Sequence, residues 1–192
     1  MSSIKPTAAA VASIQAFIKA SSVRMSTRSG GTSADLEVTN RGGKGTISTD
    51  GLQEKVISIG GYVYVQPGAA YLKHYEGAAA AKTYAGQWLR VSATEGTWAK
   101  WASTLNKTYL DKHLEAVIRE QIGSVTKGPQ TMIGGQAAVP VTDKAHSATF
   151  YIAAKGTPFL LKIVGKGFST TYMSGYDRSV SLVPPTHWIN GT

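Results

Sequence analysis

"HSATFYIAAKGTPFLLKIVGKG" (146–167) reads as two successive strands separated by a turn at Lys155-Gly156. Successive side chains of a strand point to opposite faces. Phe150, Ile152 and Ala154 therefore share one face, with Thr149, Tyr151 and Ala153 on the other. After the turn, Phe159, Leu161 and Ile163 alternate with Leu160, Lys162 and Val164. A sheet half exposed to water needs only one apolar face. Here both faces carry apolar residues, most clearly in the second strand. Either protein covers that second face, or something the protein carries does.

Working outward, the same pattern recurs on both sides. Upstream, "SVRMST" (22–27), "ADLEVTN" (34–40), "TISTD" (46–50), "QEKVISIG" (53–60) and "YVYVQ" (62–66) are short strand-like segments divided by Gly-rich turns. Asp50-Gly51 and Gly60-Gly61 are pairs that tight hairpins favour, so an antiparallel meander is expected. Downstream, "SVTKGPQTMIG", "QAAVPVTD" and "FSTTYMSGY" continue the strand series. The tail "SVSLVPPTHWINGT" contains Pro184-Pro185, where any strand should end.

Two regions carry helical periodicity. In "MSSIKPTAAAVASIQAFIKASS", Val11, Ile14 and Ile18 follow helical spacing beside Phe17. Ser13, Gln15 and Lys19 interrupt the apolar run, so an amphipathic helix fits better than an export signal. In "TWAKWASTLNKTYLDKHLEAVIREQIG" (97–123), Trp98, Trp101, Leu105, Leu114, Val117 and Ile118 recur at three- and four-residue steps. Gly123 is a suitable stop, and Asn106-Lys107 a place to divide the region into two helices. The expected layout is one α+β domain over residues 1–192: an N-terminal helix at 1–20, strands at 22–66, a mainly helical insert at 67–123, and strands at 124–187.

The chain has 192 residues, 42% hydrophobic and 16% charged, which suits a globular domain with a sizeable core. Twenty Lys and Arg against eleven Asp and Glu give a net charge of +9. Such a charge attracts anionic surfaces in general. The basic residues are scattered, however, and form no run of five or more, so a nucleic-acid partner is not indicated. There is no cysteine, which excludes disulfides, thiolate metal sites and cysteine nucleophiles. No stretch reaches the roughly 18 apolar residues of a membrane-spanning helix.

Catalytic and metal motifs are missing too. The four histidines, His74, His113, His146 and His187, have no ligand spacing, and no GxSxG elbow, phosphate loop or dinucleotide fingerprint occurs. Asp35, Glu37, Asp50 and Glu54 fall near strand ends and turns, where solvated acids are the ordinary case. The expectation is a non-enzyme without metal or cofactor.

The order of pieces resembles the LolA-like lipid and lipoprotein carriers, particularly the actinobacterial envelope lipoproteins of the LppX/LprG type. The likeness is carried by "ADLEVTNRGGKGTISTDGLQEKVISIGGYVYVQ" (34–66), "AGQWLRV" (85–91), "GGQAAVPVTDKAHSATFYIAAKGTPFLLKIVGKG" (134–167) and a closing "SGYDRSVSLVPP" (174–185), read as a last strand. It implies a strongly curved antiparallel sheet, a half-open barrel, with helices covering its concave side and an apolar cavity between them. It also implies an extracytoplasmic protein of the cell envelope, held through an N-terminal lipid anchor absent from this chain, with a lipid or acylated molecule as partner. A polypeptide partner is the alternative on the same fold.

On this resemblance, Phe150, Ile152, Leu161 and Ile163 are the cavity candidates from the sheet, faced by Trp98, Trp101 and Leu105 from the helices. A β-bulge would reverse the parity of either strand, and the alternation alone leaves that open.

Overall fold

The computed structural model describes residues 5–121, 125–144, 147–165 and 168–191. Gly123 and His146 lie outside the described residues, as do Lys166 and Gly167 at the end of the opening stretch and the side chains of Val117 and Ile118. Helix α1 (Pro6–Lys19) precedes five strands: β1 (Ser22–Ser29), β2 (Thr32–Thr39), β3 (Gly42–Thr49), β4 (Leu52–Ile59) and β5 (Tyr62–Pro67). Then come α2 (Ala69–Tyr75), α3 (Gly77–Tyr84), β6 (Leu89–Ser92), α4 (Gly96–Thr104) and α5 (Lys107–Gln121). The chain continues through β7 (Val125–Lys127), β8 (Thr131–Ile133), β9 (Gln136–Asp143), β10 (Ala148–Ala153), β11 (Leu160–Gly165), β12 (Phe168–Ser174) and β13 (Ile189–Asn190).

Among the described residues all thirteen strands join one open, curved sheet in the order β13-β6-β5-β4-β3-β2-β1-β12-β11-β10-β9-β7, with β8 also on β9. Two meanders make it, one on each side of the seam where β1 pairs antiparallel with β12, Arg24 opposite Ser174. Asp50-Gly51 and Gly60-Gly61 hold both turn residues at positive φ, as two-residue hairpins of the sheet's twist require. The result is the α+β half-barrel expected from the sequence, with helices on its concave side.

Helix α1 begins with Pro6 in its first turn, where no amide donor is needed, and buries Ala9, Ala10, Ile14 and Phe17 along one face. That face packs on β9, β10, β11 and α5. The sheet answers with Phe150, Ile152, Leu160 and Ile163, while Val23, Leu36, Val38, Ile47, Val56 and Val63 extend the same core under α4 and α5. Each large apolar side chain so buried contributes about 1.5–3 kcal/mol.

Helices α4 and α5 meet at Leu105-Asn106, which touches the sheet directly: Asn106 bridges Thr39. Gly43 permits the approach. A Cβ there would stand 2.6 Å from the Leu105 carbonyl oxygen and 2.8 Å from that of Glu37.

The second face of the opening stretch is covered by protein. The β10–β11 register shifts between Tyr151 and Ile152, so Ile152 faces Leu160 while Tyr151 faces Lys162. Leu161 is the extra residue of this bulge. It leaves the main core and joins Ala138 and Ala153 in a second cluster, flanked by Ile133, Tyr151 and Phe159. The ring of Phe159 in turn stacks on Tyr176 at 4.1 Å.

The segment after β12 departs from the closing strand expected of it. Residues 175–188 form no strand: Gly175 and Asp177 turn the chain at positive φ, and Pro184 and Pro185 have no N–H to donate. Instead they strap the outer face. Ser22 Oγ donates to the Arg178 carbonyl at 2.6 Å, and Lys44 Nζ to that of Ser181 at 3.0 Å. Trp188 meets outward-facing Tyr64 edge-on at 5.7 Å. Beyond the prolines, β13 resumes pairing, parallel to β6.

Candidate ligand-binding cleft

Between β4–β6 and helices α2 and α4 opens a cleft of about 600 Å³, within the range of small-molecule sites. Its floor follows from strand alternation. Glu54, Val56 and Ser58 share the inner face of β4, Val63 and Val65 that of β5, and Val91 that of β6. Of these, Val56, Val65 and Val91 line the cleft and are themselves buried.

The walls are aromatic. Trp98 and Trp101, three residues apart on α4, share one side of the helix and both line the cleft. Tyr71 and Tyr75, four apart on α2, form the opposite wall with ring centroids 4.7 Å apart. Helix α2 is seated by the Gly68 N–H, which donates to the Gln53 carbonyl, and by buried Leu72. Ser92, Glu95 and Gly191 complete the rim.

One carboxylate faces this apolar surface. Among the described residues Glu54 has no hydrogen-bond or ion-pair partner, and burial raises its pKa above the ordinary glutamate value. Burial also raises Tyr71, helped by the negative charge of Glu54. The lining holds Glu54 and Glu95 but, among the described residues, no Lys, Arg or His. Among the described residues nothing in the cleft pairs a nucleophile with a base, and what it offers is apolar area, four rings and two carboxylates.

The residues singled out from sequence separate into three places. Trp98 and Trp101 line the cleft. Phe150, Ile152 and Ile163 lie in the main core with α1, and Leu105 is fully buried over Gly43 at the α4–α5 junction. Leu161 sits on the other face of the sheet. Glu54, a solvated acid on the sequence pattern, is instead half-buried in the cleft, and Tyr71 and Tyr75 join it there without being expected. A signal existed for each: Glu54 is in phase with Val56 and Ser58, and the two tyrosines have helical i,i+4 spacing.

Asp111 and His113 have structural partners. Asp111, beside His113, accepts from Lys107 at 2.8 Å. His113 Nδ1 lies 2.9 Å from the Tyr109 carbonyl oxygen. Among the described residues no group of three His, Asp or Glu side chains could hold a metal ion.

Two solved structures of mycobacterial proteins share this fold. The crystal structure of LprF from Mycobacterium bovis matches with a TM-score of 0.66 at 17% identity, covering 94% of this chain and 96% of that one. That of the lipoprotein LppX from Mycobacterium tuberculosis matches with a TM-score of 0.59 at 14% identity, covering 93% and 98%. At these identities the likeness is one of fold. No protein-family model and no curated protein sequence matches the chain.

Proposed function

We propose that this protein is a non-catalytic carrier of the cell envelope that shelters an acyl chain or similar amphiphile in the cleft between β4–β6, α2 and α4. The observation that carries this reading is the cleft itself: about 600 Å³ of space floored by valines and walled by two tryptophans and two tyrosines. Such a surface binds by removing hydrocarbon from water, worth roughly 0.8 kcal/mol per buried CH₂. A chain of ordinary length is then held without any reacting group. The fold shared with LprF and LppX supports an extracytoplasmic setting, with a lipid anchor N-terminal to the carrier domain holding it at a membrane.

Native mass spectrometry before and after organic extraction tests the reading. A stoichiometric mass that extraction removes, and that proves to be an acylated molecule, is the expected result. A bare mass, unchanged after incubation with phospholipids and glycolipids, overturns it.

A further inference from the structure

We propose that the cleft selects amphiphiles whose polar end carries a protonated amine or a quaternary ammonium; this deepens the acyl-sheltering role above and rests on it. The chain as a whole bears +9, so a basic lining would be the simplest expectation. The cleft departs from it. Its titratable acids are Glu54 on the floor and Glu95 on the rim, with no basic side chain among the described lining residues. The nearest candidates point elsewhere: Lys55 alternates to the outer face of β4, while Lys73 and His74 of α2 and Lys100 of α4 are exposed and do not line the space.

Glu54 is free to act on a ligand. Other acids are engaged within the protein, Asp35 by Arg24, Glu37 by Lys44 and Asp111 by Lys107. Glu54 is half-buried, faces the cleft and has no such partner among the described residues. A carboxylate left without a counter-charge in an apolar setting is costly, and an incoming cation removes that cost. The walls favour the same guest, because the faces of tryptophan and tyrosine attract ammonium groups, and more strongly where water is excluded. An anionic headgroup would meet two carboxylates and no donor cation.

Four twelve-carbon probes test this by calorimetry below their micellar concentrations: dodecyltrimethylammonium, dodecylphosphocholine, dodecanoate and dodecyl maltoside. Only saturable one-to-one binding counts. Both ammonium probes are expected to bind at least tenfold tighter than the anionic and neutral ones. Glu54→Gln should bring that ratio to within about threefold, chiefly by weakening the two ammonium probes. Tighter binding of dodecyltrimethylammonium than of dodecylphosphocholine assigns a free cationic headgroup, and the reverse order a zwitterionic one. Equal or tighter binding of dodecanoate, or a ratio that Glu54→Gln does not alter, overturns the headgroup proposal and leaves the carrier role standing. Failure of all four probes to bind overturns both.

Discussion

Lys107 donates from its Nζ to the carbonyl oxygen of Ile18 at 3.0 Å, tying the last turn of α1 to the first turn of α5 across 89 residues of sequence. The same ammonium reaches Asp111 at 2.8 Å and sits 5.0 Å from the centroid of the Phe17 ring, with its own side chain fully buried. A cation at a helix C-terminus also complements the helix dipole. Lys107→Ala leaves Asp111 and the Ile18 carbonyl without this donor and should cost about 3 kcal/mol in urea unfolding. Asp111→Asn should cost less, because the Ile18 contact survives.

Tyr176 ties the second apolar cluster to the core. Its hydroxyl donates to the Leu160 carbonyl at 2.6 Å, and its ring packs between Phe159 and Phe17. Tyr176→Phe keeps the packing and should cost about 1 kcal/mol. Burial holds the phenol protonated well above its ordinary value near 10. The folded chain therefore keeps a proton that the unfolded chain releases, and stability from this group falls as pH rises past that ordinary value. Between pH 9 and 11, as about the accessible range, the wild type should lose more thermal stability than Tyr176→Phe.

Burial likewise holds the Glu54 carboxyl above its ordinary value, so the folded state retains its proton longer than the unfolded state. Its contribution to stability is greatest below the ordinary glutamate range and declines as pH rises through the raised value. Glu54→Gln escapes that decline. Differential scanning calorimetry should show Tm about 1 °C higher than wild type near neutral pH, a small step suited to a partly exposed group. The difference should vanish in acid below the glutamate range.

Cleft and core should separate under mutation. Trp98→Ala removes wall area and is expected to weaken binding of an acyl probe about tenfold, with a smaller effect on unfolding. Phe150→Ala opens a hole among core residues under α1 and should cost about 3 kcal/mol of stability, while the folded protein binds as before. Paired titration calorimetry and urea denaturation read both quantities. Equal loss of affinity in the two variants would place the ligand under α1 and not in the cleft.

Much of the architecture was legible because local chemistry and fold agree. Asp50-Gly51 and Gly60-Gly61 can hardly do anything but turn, and the break at Asn106-Lys107 follows from the loss of helical spacing there. The bulge at Leu161 was not legible. One extra residue among apolar neighbours leaves the pattern intact while reversing which face each side chain occupies. Glu54 was hidden for another reason: its spacing places it inward, but its burial is made by α2, which arrives only through tertiary packing. The parallel strand after Pro184-Pro185 was missed because it has two residues, too few to carry any periodicity.

The seam between β1 and β12 has a bearing on how the molecule is made. The first five strands are sequence neighbours, each able to pair with its predecessor as it emerges from the ribosome. Arg24, however, waits for Ser174. Until then β1 presents an unpaired edge, the kind of template on which chains associate with one another. The nascent protein is thus most exposed to mispairing while the helical middle and the second meander are still being synthesised. Closure of the seam, a contact between segments remote in sequence, is the step on which folding speed should depend.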